Sequence, residues 1–182
     1  MASTGRAAPE ASAIDWPGQI YEVFRAHGIR QVAHVPDAGH SKLIRLCEAD
    51  SAMRVVTLTT EEEGVALLAG AWLGGARGAL LMQSSGVGNT INTLSLVKHC
   101  RMPFLTLITM RGEWGEFNPW QVPMGQATRP SLAAQGIVVY DVTSADAIKD
   151  TVEAAAKLAF DSTQQVAVTI SQRVIGTKAF KD

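Results

Sequence analysis

The chain has 182 residues, 16 of them basic and 17 acidic, and 47% of its positions are apolar. That length suits one domain, and a net charge of −1 gives no electrostatic ground for a nucleic-acid or anionic-membrane partner. No apolar run approaches the roughly 20 residues of a membrane span, and the opening residues lack a signal-peptide core, so the expectation is a cytoplasmic protein with reduced thiols at Cys47 and Cys100.

Residues 1–15, MASTGRAAPEASAID, read as a disordered tail ahead of a domain over 16–182. An amphipathic helix opens at Pro17 and stops at Gly28. IRQVAHV is a short strand ending at Pro36, and SKLIRLCEAD is a helix. MRVVTLT is β-branched and predicts a buried strand. EEEGVALLAGAWLGG predicts a helix ending at Gly74-Gly75. GALLMQS is a strand, followed by a turn of small residues and a helix over GNTINTLSLVKHC. PFLTLITM is a strand, and an irregular piece then runs from Arg111 to about Gly125. RPSLAAQ, IVVYDV, SADAIKDTVEAAAKLAF and QVAVTIS complete a helix, strand, helix and strand. Near-continuously apolar strands separated by helices predict a three-layer α/β/α fold around a mostly parallel six-stranded sheet. Such sheets bind ligands beyond the carboxyl ends of their strands.

Four segments fall at those ends. In VPDAGHS, residues 35–41, His40 is a candidate proton carrier, and Asp37 either caps the next helix or acts on substrate. In TTEEEG, residues 59–64, three acids open a helix, where they oppose its dipole. Glu61 shares a face with Val65, Leu68 and Trp72, the face expected to be buried. A carboxyl there is partly desolvated and can share a proton with a weakly basic ligand nitrogen. Glu62 and Glu63 are the expected solvated caps.

The third segment is LMQSSGVGNT, with Gln83 at the strand end. A dinucleotide fingerprint would need a third glycine and a phosphate loop a Gly-Lys-Ser/Thr, and both are missing. Two readings remain: a tight turn capped by Ser84 or Ser85, and a close approach of some group to the backbone at Ser85, Gly86, Gly88 and Asn89. The fourth is MRGEWGEFNPWQVPMG, residues 110–125. Arg111 can clamp a carboxylate, sulfonate or phosphonate, with Gln121 and Gln83 as polar substrate contacts. Glu113 and Glu116 are candidates for salt bridges within the loop, and Trp114 and Trp120 for a lid or interface. The four histidines and two cysteines show no metal-ligand spacing, and no metal ligand is assigned.

VPDAGHSKL, TEEEGVALLAGAWLGG, LMQSSGVGNTINTLSLV, MPFLTLITMRGEWGE and QVPMGQAT together resemble the pyrimidine-binding domain of thiamine diphosphate-dependent 2-oxoacid decarboxylases. The likeness spans Ile20 to Ile170 and points to the alpha subunits of sulfopyruvate decarboxylase and to the related phosphonopyruvate decarboxylase. It implies a carboxy-lyase in which Glu61 hydrogen-bonds the cofactor's aminopyrimidine. The family spacing from that acid to small residues and a later glycine fits Gly64, Val65 and Gly70 when counted from Glu61, and not from Glu62. The close visitor at Gly86-Gly88 would then be the pyrimidine or a neighbouring chain. The family's diphosphate domain carries a Gly-Asp-Gly motif and a later Asn, which this sequence lacks. The resemblance therefore implies a beta subunit that holds Mg²⁺ and the diphosphate, in an α2β2 or larger heteromer. Ala38, Gly39-His40 and the aromatic insert GEWGEFNPW depart from relatives, which leaves room for a larger 2-oxoacid or for carboligation. A non-catalytic interaction module of the same fold is the alternative from another class.

Overall fold

A computed structural model describes residues 14–176. The tail expected over 1–15 lies outside the described residues, except for Ile14 and Asp15. Asp15 caps the first helix, α1 (Trp16–Ala26), by accepting from the Gly18 amide at 3.1 Å, with Pro17 in the first turn. Next come β1 (Ile29–His34), α2 (Ser41–Glu48), β2 (Arg54–Thr57), α3 (Glu61–Leu73) and β3 (Arg77–Gln83). Helices α4 (Ser84–Thr90) and α5 (Leu94–His99) lead to β4 (Phe104–Thr109). The chain closes with α6 (Val122–Ala134), β5 (Val138–Val142), α7 (Ile148–Asp161), β6 (Gln165–Ile170) and the single turn α8 (Gln172–Ile175).

The six strands form one sheet in the order β2-β1-β3-β4-β6-β5, and every pair is parallel. Both faces are covered, as the apolar strands required. Leu81, Leu105, Leu107 and Val168 point to one face, under Phe24 of α1, Leu43 of α2 and Val152 of α7. Leu80, Met82, Phe104 and Ile108 point to the other, under Val65 and Leu68 of α3, Val87 of α4, Val97 of α5 and Leu132 of α6. The chain leaves β1 toward β2 on one side and returns to β3 on the other, so the β1/β3 carboxyl ends form a switch point. Among the described residues no helix is long and apolar enough to cross a membrane.

Three stretches differ from expectation. MRVVTLT gives an edge strand, and the residues of β2 are exposed or half-buried rather than buried, because no strand lies beyond it. The small residues after β3 are not a turn: Ser84 to Thr90 is itself helical. Neither Gly86 nor Gly88 has a positive φ, so these glycines answer a need for space, not for an unusual backbone. Neither Ser84 nor Ser85 caps that helix. The irregular piece is also shorter than expected. Helix α6 begins at Val122, and residues 119–121 form a 3-10 turn leading into it. Pro123 sits in the first turn, where proline is tolerated, and Pro130 lies within the helix.

Candidate active site

Glu61 is the first residue of α3, and its side chain turns inward with 8% exposure. The two neighbouring acids are exposed. Glu63 reaches back to accept from the Thr59 amide at 3.0 Å and hydroxyl at 2.7 Å, which secures the helix start. Of the three acids, only Glu61 is therefore free to serve the interior.

Helix α4 lies against this carboxylate. Asn89 Nδ2 donates to Glu61 Oε2 at 2.8 Å. From the same helix Gly86 presents bare backbone, and a methyl group there would stand 2.5 Å from Glu61 Cδ. Within the chain, the group that comes close at Gly86 is Glu61. A Cβ on Gly88 would meet Met124 Sδ at 3.3 Å, so this second glycine makes room for α6. Ser84 anchors α4 to the end of β4: its hydroxyl donates to the Arg111 carbonyl at 3.3 Å and accepts from the Arg111 amide at 3.0 Å.

Glu61, Ser85, Gly86, Gly88 and Asn89 line one cleft of about 930 Å³. Pro119, Trp120, Pro123, Met124 and Ala127 complete its lining. Trp120 is 82% exposed and stands at the rim. A carboxyl held by one amide, in a cleft with a mostly apolar lining, suits a flat heterocycle with a hydrogen-bonding edge.

The remaining candidates lie elsewhere. Asp37, Gln83 and Arg111 line a separate crevice of about 100 Å³ at the switch point, with Thr109, Ile175 and Gly176. Asp37 accepts from the Thr109 hydroxyl at 2.5 Å, the Gly39 amide at 3.1 Å and Gln83 Nε2 at 3.3 Å. Burial pushes its carboxyl up, but His40, the Thr109 hydroxyl, the Gly39 amide and Gln83 outweigh burial and hold it below the usual carboxylate range. Ser85 Oγ donates to Gln83 Oε1 at 3.0 Å, which joins the crevice to the cleft wall.

Three expectations need correction. His40 is fully buried, with Nε2 against the Leu107 carbonyl at 3.1 Å. Burial depresses its pKa despite the pull of Asp37, and the ring has no surface from which to pass a proton. Arg111 is not a free clamp. Its Nε and Nη2 donate to the two oxygens of Glu116, each at 2.6 Å, and both side chains are buried. The hydrogen bonds from Arg111 hold the Glu116 carboxyl down at about 2. Gln121 lines neither the cleft nor the crevice, and its buried Oε1 has no hydrogen-bond partner.

His34 is buried in β1 beside Thr57 Oγ1 at 3.4 Å, in keeping with a structural role. Cys47 is a core thiol pushed up to about 12 by burial, whereas Cys100 is exposed, and both are free. Among the described residues no cluster of three or more His, Cys, Asp or Glu is placed to hold a metal ion. The sequence reading missed Gln172, which is 1% exposed and bonded to the Arg111–Glu116 loop through four hydrogen bonds. The available signal was its place, two residues past the carboxyl end of a buried strand.

No family model matches the chain. It is 34% identical over 152 residues to a sulfopyruvate decarboxylase subunit alpha of Methanococcus maripaludis, covering 83% of this chain and 91% of that one. A phosphonopyruvate decarboxylase of Streptomyces viridochromogenes is 41% identical over 103 residues, which are 56% of this chain but only 26% of that enzyme. In three dimensions the chain matches a 2-oxoglutarate:ferredoxin oxidoreductase from Magnetococcus marinus with a TM-score of 0.73. That match covers 89% of this chain and 29% of the oxidoreductase at 13% identity, and it shows the fold. By its sequence over most of both chains, this protein belongs to the family of sulfopyruvate decarboxylase alpha subunits.

Proposed function

We propose that this chain is the alpha subunit of a thiamine diphosphate-dependent decarboxylase that converts sulfopyruvate and a proton to sulfoacetaldehyde and CO2. The observation that carries the reading is the inward Glu61 carboxylate, braced by Asn89 and Gly86 in a cleft with a mostly apolar lining. The donor set fits a thiamine pyrimidine: Oε2 is taken by Asn89, and the carboxyl still borders the cleft. When bound, thiamine diphosphate supplies the nucleophilic carbon and the electron sink that carboxylate loss requires. Glu61 would hold the pyrimidine ring by sharing a proton with one of its nitrogens. Asn89 and Gly86 fix the direction of that carboxyl, and Pro119, Trp120, Pro123 and Met124 offer an apolar surface beside it.

A beta subunit completes the site by holding Mg²⁺ and the diphosphate, in an α2β2 or larger assembly. The crevice at Asp37, Gln83 and Arg111 receives the polar end of the 2-oxoacid, and there Arg111 acts through a charge already shared with Glu116. A second reading, phosphonopyruvate as substrate, is favoured by the likeness of residues 103 in number to the Streptomyces enzyme.

Aldehyde release by the chain co-purified with its native partner tests this, with sulfopyruvate, phosphonopyruvate and pyruvate run in parallel. Turnover of sulfopyruvate that needs both chains, thiamine diphosphate and Mg²⁺ is the expected result. A preference for phosphonopyruvate would select the second reading. Silence on all three acids with the cofactor bound would refute both.

A further inference from the structure

The cleft wall at Pro119–Trp120 belongs to the loop that follows β4, and that loop is not held by apolar burial at its tips. Trp114, Phe117 and Trp120 are 47%, 41% and 82% exposed. The loop is instead closed on itself. Gly112 has φ +75, and a Cβ there would collide with the Gln121 carbonyl, so the two ends of the loop touch. Its centre is Glu116, which accepts from Arg111 Nε and Nη2, the Gly112 amide, the Asn118 amide and Gln172 Nε2. Asn118 in turn accepts from the Trp120 amide at 3.1 Å.

Gln172 stands at the other end of this chain of bonds. Its Oε1 accepts from the Glu113 and Trp114 amides, both at 3.0 Å. Its Nε2 donates to Glu116 at 3.0 Å, and its own amide donates to Glu113 Oε1 at 2.8 Å. The next residue, Arg173, lies over the Trp114 ring at 4.7 Å. A single buried amide therefore ties the segment after β6 to both acids of the loop, and through Glu116 and Asn118 to Trp120.

We propose that Gln172 is a positioning residue that sets the Pro119–Trp120 wall of the Glu61 cleft, and with it the affinity for thiamine diphosphate. The proposal rests on the cofactor reading above. Gln172 touches neither cofactor nor substrate in this assignment; it acts through Glu116. Only an amide meets the demand, because the side chain must accept from two backbone N–H groups and donate to a carboxylate. An acid of the same shape would face Glu113 and Glu116 from one side, while the nearby cations are engaged elsewhere: Arg111 with Glu116, Arg129 with Asp141, and Arg173 over the Trp114 ring. Protonation would restore the donor and remove the repulsion.

The test uses Gln172→Glu and Gln172→Leu in the complex with the native partner. Hydrogen exchange over residues 113–121 is read without cofactor, and cofactor binding by titration at about pH 8 and about pH 5.5, on either side of a carboxyl raised by acidic neighbours. At the higher pH both variants should lose protection over 113–121 while β4 and β6 keep theirs. Cofactor affinity should fall about tenfold, the worth of one charge-assisted hydrogen bond. At the lower pH Gln172→Glu should regain the wild-type value and Gln172→Leu should not. Unchanged exchange over 113–121, or a loss shared by β4 and β6, would overturn the proposal, and so would an affinity deficit in Gln172→Glu that ignores pH. A wild-type complex that binds no thiamine diphosphate would overturn the functional reading and the affinity claim together, while the exchange result would still decide whether Gln172 holds the wall.

Discussion

The Glu61 cleft and the Arg111 crevice both lie at the carboxyl side of the sheet, and both present charged side chains. They differ in what those charges have left to give. In the cleft, one carboxylate is braced by one amide and by the bare backbone of Gly86, and it borders an open space of about 930 Å³. In the crevice, of about 100 Å³, Asp37 accepts three hydrogen bonds and Arg111 is paired twice to Glu116. The first region is built to receive a partner from outside. The second has spent most of its bonding capacity on the protein, so it contributes shape and order before it contributes charge.

The comparison breaks most readily at Glu61. Glu61→Gln keeps an acceptor for Asn89 but loses the exchangeable carboxyl, and turnover of the complex should fall by about 10²–10⁴-fold, the range for a lost acid–base group, with little change in melting temperature. An undiminished rate would remove the cleft's claim to the chemistry. In the crevice the corresponding change should act on stability. Glu116→Gln leaves the buried Arg111 without its counter-charge, and chemical unfolding should show a loss of about 3 kcal/mol. A loss below 1 kcal/mol would mean that the pair is solvated and the loop held by other means.

Between these lies Gly86→Ala. The added methyl must displace Glu61 or helix α4, and overpacking of this kind costs about 1–3 kcal/mol. Cofactor affinity should fall with it; retained affinity would show that Glu61 can move without consequence. The Glu116 pair also sets a pH dependence. The Glu116 carboxyl is depressed in the folded chain to about 2, from the usual carboxylate value. Its contribution is therefore complete above the unfolded value and is lost as pH falls through the mid-4s toward about 2. Burial depresses His40 in the same sense, so the unfolded chain takes up that proton first and stability begins to decline just below about 6.5. Urea midpoints measured against pH should show both slopes in the wild type, and Glu116→Gln should lack the lower one.

Much of this was legible in the sequence, because strand apolarity and helix periodicity reflect burial directly. The inner strands and the inward face of Glu61 follow from that logic, whereas β2 and β5 were found as strands by their β-branched residues although they lie at the sheet edges and are less buried. Helix α4 did not, because its Ser-Ser-Gly-Val-Gly run has poor intrinsic propensity and the helix exists by packing on Glu61, Met124 and the end of β4. The early start of α6 was hidden by Pro123 and Gly125. Gly125 serves close approach, since a Cβ there would strike the Arg111 carbonyl. Arg111 was correctly placed at a strand end, and Glu116 was legible as a salt-bridge candidate of the same loop; what the sequence did not show is that the pair is buried. Gln172 is one polar residue after a strand, and only the fold brings it to residues 113–116.

The central claim is that the Glu61 cleft receives the thiamine pyrimidine. A crystal structure of the complex with thiamine diphosphate tests it most directly. The account predicts the pyrimidine ring between α4 and the Pro119–Trp120 wall, with a ring nitrogen in hydrogen-bond contact with Glu61 and Asn89 still on Oε2. A cofactor bound with its pyrimidine elsewhere, and Glu61 turned away from it, would contradict the account.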